Sequence, residues 1–369
     1  MSQEPVNTVW GLNVTPYGCP HCGQVHLLPP DSAGAVCPHC AAEGLQPQPA
    51  ALRPEAPEKV LPFQVQTDGL RTVFEQFVHG VWLRYDDFNV ETLSRRARPV
   101  FLPMWLVDSD LRGDWRAEMG FDYQVKSSQE SYDGGDWHTR ERIEGRVRWA
   151  PRAGQVQRHY DNTAVPALSD HARVMARTGR YNLQNAQGYN PESLAGLSAS
   201  IGLRAPDQDT EQAWPQARDG LEKRLAQDCQ QAAGAQHLRR FTCRLAYENR
   251  NWTQLLLPMY VSWYSDDEGR RYPVVVNGQS GQVGGVRMAS QRKGWQWAGI
   301  LAAVAIITFL LALLGFALTA AFPPAAAIGT VLAVIALVLG VAALVPAVWP
   351  WQWNRRQQDE TVFTDSGSP

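Results

Sequence analysis

Hydrophobic spacing changes twice along this chain, and the changes mark out its regions. From Leu70 the apolar positions Leu70, Phe74, Phe77, Val78, Val81 and Trp82 follow a helical period, with Thr67 placed to cap the helix. Residues 114–125 and 139–149 instead alternate polar and apolar side chains, rich in aromatics, which is the period of antiparallel strands. Asp133-Gly134-Gly135-Asp136 marks the loop between them. Residues 210–233 read as a charged helix, broken or started at Pro215. Residues 241–247, 254–264, 272–276 and 282–286 read as a meander, with Asn277-Gly278-Gln279-Ser280-Gly281 as a hairpin turn. Gly278, Gly281 and Gly284 have the look of a phosphate loop, but no helical pattern follows them, so the turn is the better reading. After Trp297 all alternation stops, and the next 51 residues contain no charged side chain.

A lone membrane span needs about 20 apolar residues, so this stretch is long enough for two. Phe322-Pro323-Pro324 divides it, because proline neither continues a helix nor leaves its predecessor helical. The resulting spans, 298–321 and 325–348, are each roughly 36 Å long at about 1.5 Å per residue, enough to cross a hydrocarbon core of ~30 Å. A buried helical pair in a soluble core is the alternative, but such helices rarely stay apolar on every face for this length. Arg287, Arg292 and Lys293 precede the first span, Arg355 and Arg356 follow the second, and the connecting turn is uncharged. By the positive-inside bias both chain ends are expected in the cytoplasm, on the inner membrane of the cell, with residues 354–369 as a short tail. Trp295, Trp297, Trp349, Trp351 and Trp353 sit at the same two ends, where indoles favour the headgroup layer. Ala325, Gly329 and Ala333, then Ala336 and Gly340, recur at intervals of four. They would let the span pack closely, either on its neighbour or on a second copy in a homo-oligomer.

The 369 residues carry a net charge of only −2, which points to neither nucleic acid nor acidic lipid as a bulk partner. Residues 1–18 lack a basic region followed by an apolar run, so no cleavable leader is expected. The first 290 residues are then expected in the cytosol.

Candidate chemistry is concentrated near the N-terminus. Cys19-Pro20-His21-Cys22-Gly23 and Cys37-Pro38-His39-Cys40 are two CxxC motifs. Each makes a tight turn with two thiolates aimed at one ion, and two such turns close a tetrahedral Zn²⁺ site without an open position. Cys19, Cys22, Cys37 and Cys40 are therefore the expected ligands of one structural zinc in a ribbon spanning residues 1–45. The metal would supply much of its folding energy. A redox reading of CPHC fails for want of a βαβ pattern. Residues 1–52 contain Glu4, Asp31 and Glu43 but no Lys or Arg, which argues against phosphate binding. His21 and His39 are expected as exposed turn residues. His26 is a competing ligand type, although four cysteines already complete the site.

Pro47, Pro49, Pro54 and Pro57 make residues 46–59 an extended linker, expected to hold the ribbon away from an α+β domain over residues 60–290. Within that domain, Leu102-Pro103-Met104-Trp105 and Leu257-Pro258-Met259-Tyr260 echo each other. The echo fits two related halves, two equivalent strands of one sheet, or chance. No GxSxG elbow, P-loop or HExxH is present. His138, His159 and His171 are expected on the surface, and Cys229 and Cys243 as small buried side chains.

The order of CPxCG-type ribbon, Pro-rich linker, LPMW strand, LLPMY strand, the hairpin Val276-Asn277-Gly278-Gln279-Ser280-Gly281-Gln282-Val283-Gly284 and terminal membrane segment resembles the bacterial TFIIB-type zinc-ribbon membrane proteins. These are often mislabelled as primosomal or helicase-like, and their late hairpin typically reads VNGQTGKV followed by Gly. The resemblance implies a membrane anchor working beside phage-shock-protein-A-like or SPFH-type membrane-stress proteins, and it carries no catalytic residues. The fold class expected is α+β: an N-terminal ribbon, a mainly antiparallel central domain and a two-helix transmembrane hairpin spanning 295–353. The function expected is a non-enzymatic scaffold with a protein partner. The alternatives are a membrane-bound sensor or enzyme with a pocket near His159, His171 or Asp108, and a tethered nucleic-acid binder with a basic face in residues 60–290.

Overall fold

The computed structural model describes residues 10–48, 55–133, 136–194, 201–320 and 322–358. The 133–136 turn glycines, the prolines at 49 and 54 and the C-terminal tail from residue 359 lie outside them. In chain order the elements are β1 (Thr15–Gly18), β2 (Val25–Leu28), β3 (Gln46–Pro47), β4 (Lys59–Val60), α1 (Gly69–Val78) and α2 (Val90–Arg96). Then follow β5 (Arg98–Asp133), β6 (Asp136–Pro166), α3 (His171–Thr178), β7 (Gln187–Gly188), β8 (Gly202–Arg204) and α4 (Thr210–Ala232). The chain continues through β9 (His237–Ser265), β10 (Arg271–Asn277), β11 (Val283–Gly285), α5 (Gln291–Ala317) and α6 (Ala325–Gln358). The fold is mixed α+β, with one sheet in the order β11-β10-β9-β5-β8-β2-β1-β3 and two long apolar helices at the end.

The chain divides into two compact units. The first holds residues 1–103, 170–205 and 256–369. Its core lies where α1 and α2 cover β9 and β10, with Phe74, Phe88, Leu93, Tyr264 and Val276 withdrawn from solvent. Phe88 stacks on Tyr264 at 4.3 Å between centroids. Burying side chains of this size contributes about 1.5–3 kcal/mol each, so this cluster is the main support of the unit. Asp68, not Thr67, caps α1, its Oδ1 accepting the Gly69 N–H at 2.9 Å. The helix also ends at Val78, earlier than the apolar period implies, and leaves Trp82 in the loop beyond, 5.5 Å from Trp349. The hairpin turn forms as read: Asn277 Oδ1 accepts from the Gln279 and Ser280 N–H groups, and Gly281 closes the turn at φ +77°. The two LPM motifs lie on β5 and β9, which are neighbours in the sheet. That is the arrangement of two equivalent strands.

The expectation of a ribbon held at arm's length is corrected. β2 pairs with β8, His26 opposite Arg204, and β4 pairs with β7 and β9, so the N-terminal hairpin belongs to the sheet. The described ends of the Pro-rich stretch pair as strands, because an extended backbone that suits a spacer equally suits a sheet edge.

The second unit holds residues 104–169 and 206–255. β5 and β6 form an antiparallel ribbon paired from Met104 opposite Pro166 to Asp133 opposite Asp136, with a bulge between Val107 and Ser109. Helix α4 buries Ala213, Ala217, Leu221, Leu225 and Cys229, a stripe at intervals of four, among residues such as Leu111, Met119, Tyr160 and Val165. Pro215 neither breaks nor starts this helix. The start is set by a capping box between Asp209 and Gln212, and the helix runs through the proline. Gly113 is required by space, since a Cβ there would lie 2.0 Å from the Arg244 carbonyl oxygen.

The helical hairpin of the first unit has a seam of small residues. Ala298, Ala305 and Ala312 on α5, and Ala325, Ala336 and Ala343 on α6, are among the buried positions, with Gly294, Gly329, Pro346 and Pro350, while most Val, Leu and Ile side chains point outward. Glycines mark two close approaches: a Cβ on Gly294 would sit 2.4 Å from the Pro346 carbonyl oxygen, and one on Gly315 would sit 3.2 Å from the Gly329 Cα. The small-residue spacing therefore serves the neighbouring span: Ala325 and Gly329 keep the interval of four, while Gly329, Ala336 and Ala343, like Ala298, Ala305 and Ala312, recur at seven, and Gly340 is exposed and meets nothing. At the base, the Asn354 side chain bonds both the N–H and the carbonyl of Ala289, and Trp353 Nε1 donates to the Arg287 carbonyl.

Candidate metal centre

The two knuckles are built by the same backbone device. In the first, the Gly23 N–H donates to the Cys19 carbonyl at 2.9 Å and the Cys19 N–H to the Gln24 carbonyl at 3.0 Å. In the second, the Ala41 N–H donates to Cys37 at 3.0 Å and the Cys37 N–H to Ala42 at 2.8 Å. Each turn needs one left-handed residue four positions after its first cysteine: Gly23 at φ +72° and Ala41 at φ +61°. Glycine takes that conformation freely, and alanine adopts it at a conformational cost.

The turns bring four sulfurs together. Cys19 Sγ lies 3.7 Å from Cys40 Sγ, Cys22 Sγ lies 3.8 Å from Cys37 Sγ, and all four fall within 4.8 Å of one another, so they can hold a metal ion. None is in a disulfide. Among themselves they share protons unevenly. Hydrogen bonds from Cys37 and Cys40 hold the Cys22 thiol far below the usual range. The same bond to Cys22 raises Cys37 far above it and Cys40 to about 12. One thiolate is thus stabilised by its neighbours' protons, and further thiolates need a cation to offset their repulsion. Backbone amides also turn inward: the His39 N–H lies 3.4 Å from Cys37 Sγ.

Of the two histidines expected as exposed turn residues, His21 is exposed and His39 is not. His39 is buried, and so is His26, whose Nε2 lies 3.5 Å from Cys37 Sγ. Burial, then the nearby Arg204 charge, lowers the His26 pKa to about 3, so the ring is neutral and supports a ligand instead of competing with it. Arg204, itself buried, donates to Asp170 Oδ2 at 2.9 Å, to Gln24 Oε1 at 3.1 Å and to His39 Nδ1 at 3.3 Å. This network fastens the second knuckle to β8. It was invisible in the sequence because Arg204 lies 165 positions from His39.

The remaining candidates do not gather into a site. His171 is buried on α3, not at the surface, because it belongs to that helix's inward face. His159 is half-exposed, with Asp110 and Asp161 each 2.7 Å away, and its pKa is raised by Asp110 first and Asp161 second. Asp108 accepts the Asn162 N–H at the ribbon bulge, a structural duty. Cys229 is buried as expected, whereas Cys243 is partly exposed.

Compared with models of protein families, with curated proteins and with solved structures, the chain matches none.

Proposed function

We propose that this chain is a non-enzymatic, membrane-anchored scaffold of the cytoplasmic face, with one structural Zn²⁺ in its N-terminal knuckles. The reading is carried by the helical hairpin. Its helices turn their small residues toward each other and their large apolar side chains outward, the reverse of a soluble core. Arg292 and Lys293 at one end and Arg355 and Arg356 at the other favour cytoplasmic termini. For the metal, zinc–sulfur bonds of about 2.3 Å place tetrahedral ligands about 3.8 Å apart, which agrees with the closest sulfur pairs. The closed Cys₄ set leaves no position for substrate, which supports a structural role over a catalytic one.

The resemblance to TFIIB-type ribbon membrane proteins makes phage-shock-protein-A-like or SPFH-type proteins the partners to test, in an envelope-stress or membrane-maintenance assembly. Detergent pull-downs from wild type and from a Cys37→Ser variant should differ in their partners; identical partners would remove the knuckles from the interaction. Topology has its own test. A reporter fused after Pro369 should read cytoplasmic, and a tag inserted at Pro323-Pro324 should be labelled from outside. External labelling of the C-terminal fusion would overturn the hairpin.

One observation supports a second reading, a tethered nucleic-acid binder. Arg142, Arg146, Arg148 and Arg152 share one face of the β5–β6 ribbon, because alternate residues of a strand point the same way. The ribbon's partner strand adds Phe121 and Tyr123 to that face. Retention of RNA or DNA that falls steeply with salt would favour this reading, and its absence would close it.

A further inference from the structure

We propose that a cavity at the foot of the helical hairpin binds the head group of a phospholipid bearing both a phosphodiester and a primary ammonium, of the phosphatidylethanolamine type. The proposal rests on the membrane reading above. The cavity has a volume of about 500 Å³, within the range of about 300–1,000 Å³ usual for small-ligand sites. Tyr85, Asp267, Glu268, Arg292, Trp351 and Arg355 line it.

Its position is that of a headgroup. Arg292 lies in the first turn of α5, just before Trp295 and Trp297, and Arg355 lies one turn after Trp351 on α6. An amphipathic Trp belt places these residues at the polar edge of a bilayer. The signs of the lining groups then choose the ligand. Arg270 is occupied, its Nε bonding Asp266 at 2.7 Å and its Nη2 bonding Glu268 at 3.0 Å. Arg292 and Arg355 have no carboxylate partner among the described residues, and Arg355 is steadied over the Trp351 ring at 5.4 Å. Two such guanidiniums suit a phosphodiester. Asp267 is engaged through one oxygen, which accepts from Ser290 Oγ at 2.6 Å, and a carboxylate retains further acceptor capacity. With Tyr85 and Trp351 beside it, that carboxylate suits an ammonium. Counting Asp266 behind Arg270, three acids balance three guanidiniums, so the site is neutral overall but divided by sign. A neutral head group divided in the same way is its complement, whereas an anionic lipid would meet Asp267 without a counter-charge, Glu268 being already paired with Arg270.

The test uses the full-length protein in nanodiscs of equal phosphatidylethanolamine, phosphatidylglycerol and phosphatidylcholine, with retained lipids counted by native mass spectrometry. Wild type should keep one phosphatidylethanolamine in preference to the others. Arg292→Gln with Arg355→Gln should reduce that occupancy by about tenfold, the equivalent of one lost charge-assisted bond. Asp267→Asn should erase the preference over phosphatidylglycerol. Arg356→Gln, outside the lining, should behave as wild type, with all variants compared at equal metal content and helical signal. Equal retention of the three lipids by wild type, or equal loss in Arg356→Gln, would overturn the site. A protein that fractionates with the membrane yet shows no preference sinks this proposal alone; one that does not fractionate there sinks the membrane reading as well.

Discussion

Two hairpins in the first unit make opposite use of side chains. The N-terminal one, from β1 to β3, turns its chemistry inward: Tyr17, Cys19, Leu28, Cys37 and Leu45 form a small buried cluster in which two of the five members belong to the four thiols that can hold a metal ion. The helical one turns its apolar surface outward and keeps mainly alanines and glycines between its helices. Neither has a conventional core. On the proposed reading the first is completed by a metal ion held among its four sulfurs, and the second by a lipid solvent. Both are nevertheless tied to the rest of the unit by polar bonds, through Arg204 of β8 to Gln24 and His39 in one case and through Asn354 to Ala289 in the other. The difference teaches that the two should fail independently.

The largest effect should come from the metal. Structural zinc sites of this kind are worth about 10–16 kcal/mol in isolated peptides. Cys37→Ser should therefore abolish stoichiometric zinc and open residues 15–47 to hydrogen exchange, while the helical signal of the hairpin persists. Loss of helix alongside zinc would show that the two hairpins are one cooperative unit, against the comparison.

Arg204→Ala comes next. Removing one member of a fully buried ion pair costs about 3–5 kcal/mol because its partner stays buried; here Asp170, which keeps some contact with solvent, would lose its guanidinium, so the cost should lie at or below the low end of that range. The expected outcome is retained zinc with faster exchange in β2 and β8, since the sulfurs do not need Arg204 to meet. Loss of zinc in this variant would mean that docking builds the metal site.

On the helical side, Gly329→Leu should cost about 1–3 kcal/mol, the usual range for overpacking, because a Cβ at Gly329 already approaches the Ala312 carbonyl oxygen at 3.1 Å. Spin labels on α5 and α6 should move apart while zinc content stays unchanged. An unchanged distance would remove the small-residue seam as the source of the packing.

The sequence disclosed both hairpins and missed their attachment. CxxC pairs and charge-free stretches are local signals, and the strand and helix periods of residues 114–125, 139–149 and 210–233 emerged in β5, β6 and α4. What failed was non-local. His39 looked like an exposed turn residue because its neighbours are a knuckle, and only Arg204 and Asp170, far along the chain, bury it. The Pro-rich stretch looked like a spacer because strand pairing partners such as Gly188 cannot be read from composition. Asn354 gave no signal at all, since an amide that bridges both groups of one distant residue has no sequence period.

The smallest effect separates the metal's contribution from the backbone's. Gly23 and Ala41 fill the same left-handed position in the two knuckles, at φ +72° and +61°, and a Cβ on Gly23 would meet nothing within 4 Å. Gly23→Ala therefore adds no clash, and its cost is conformational alone, about 1 kcal/mol. Because the turn must form for the thiolates to converge, that cost should appear as zinc affinity weakened by about fivefold to tenfold in competition with a chelating dye. Helix content and the α5–α6 distance should not move. The reverse change, Ala41→Gly, relieves the same strain but gives up a buried methyl, so it should gain less than Gly23→Ala loses. Equal affinity in Gly23→Ala and wild type would show that the metal, and not the turn, dictates the knuckle's conformation.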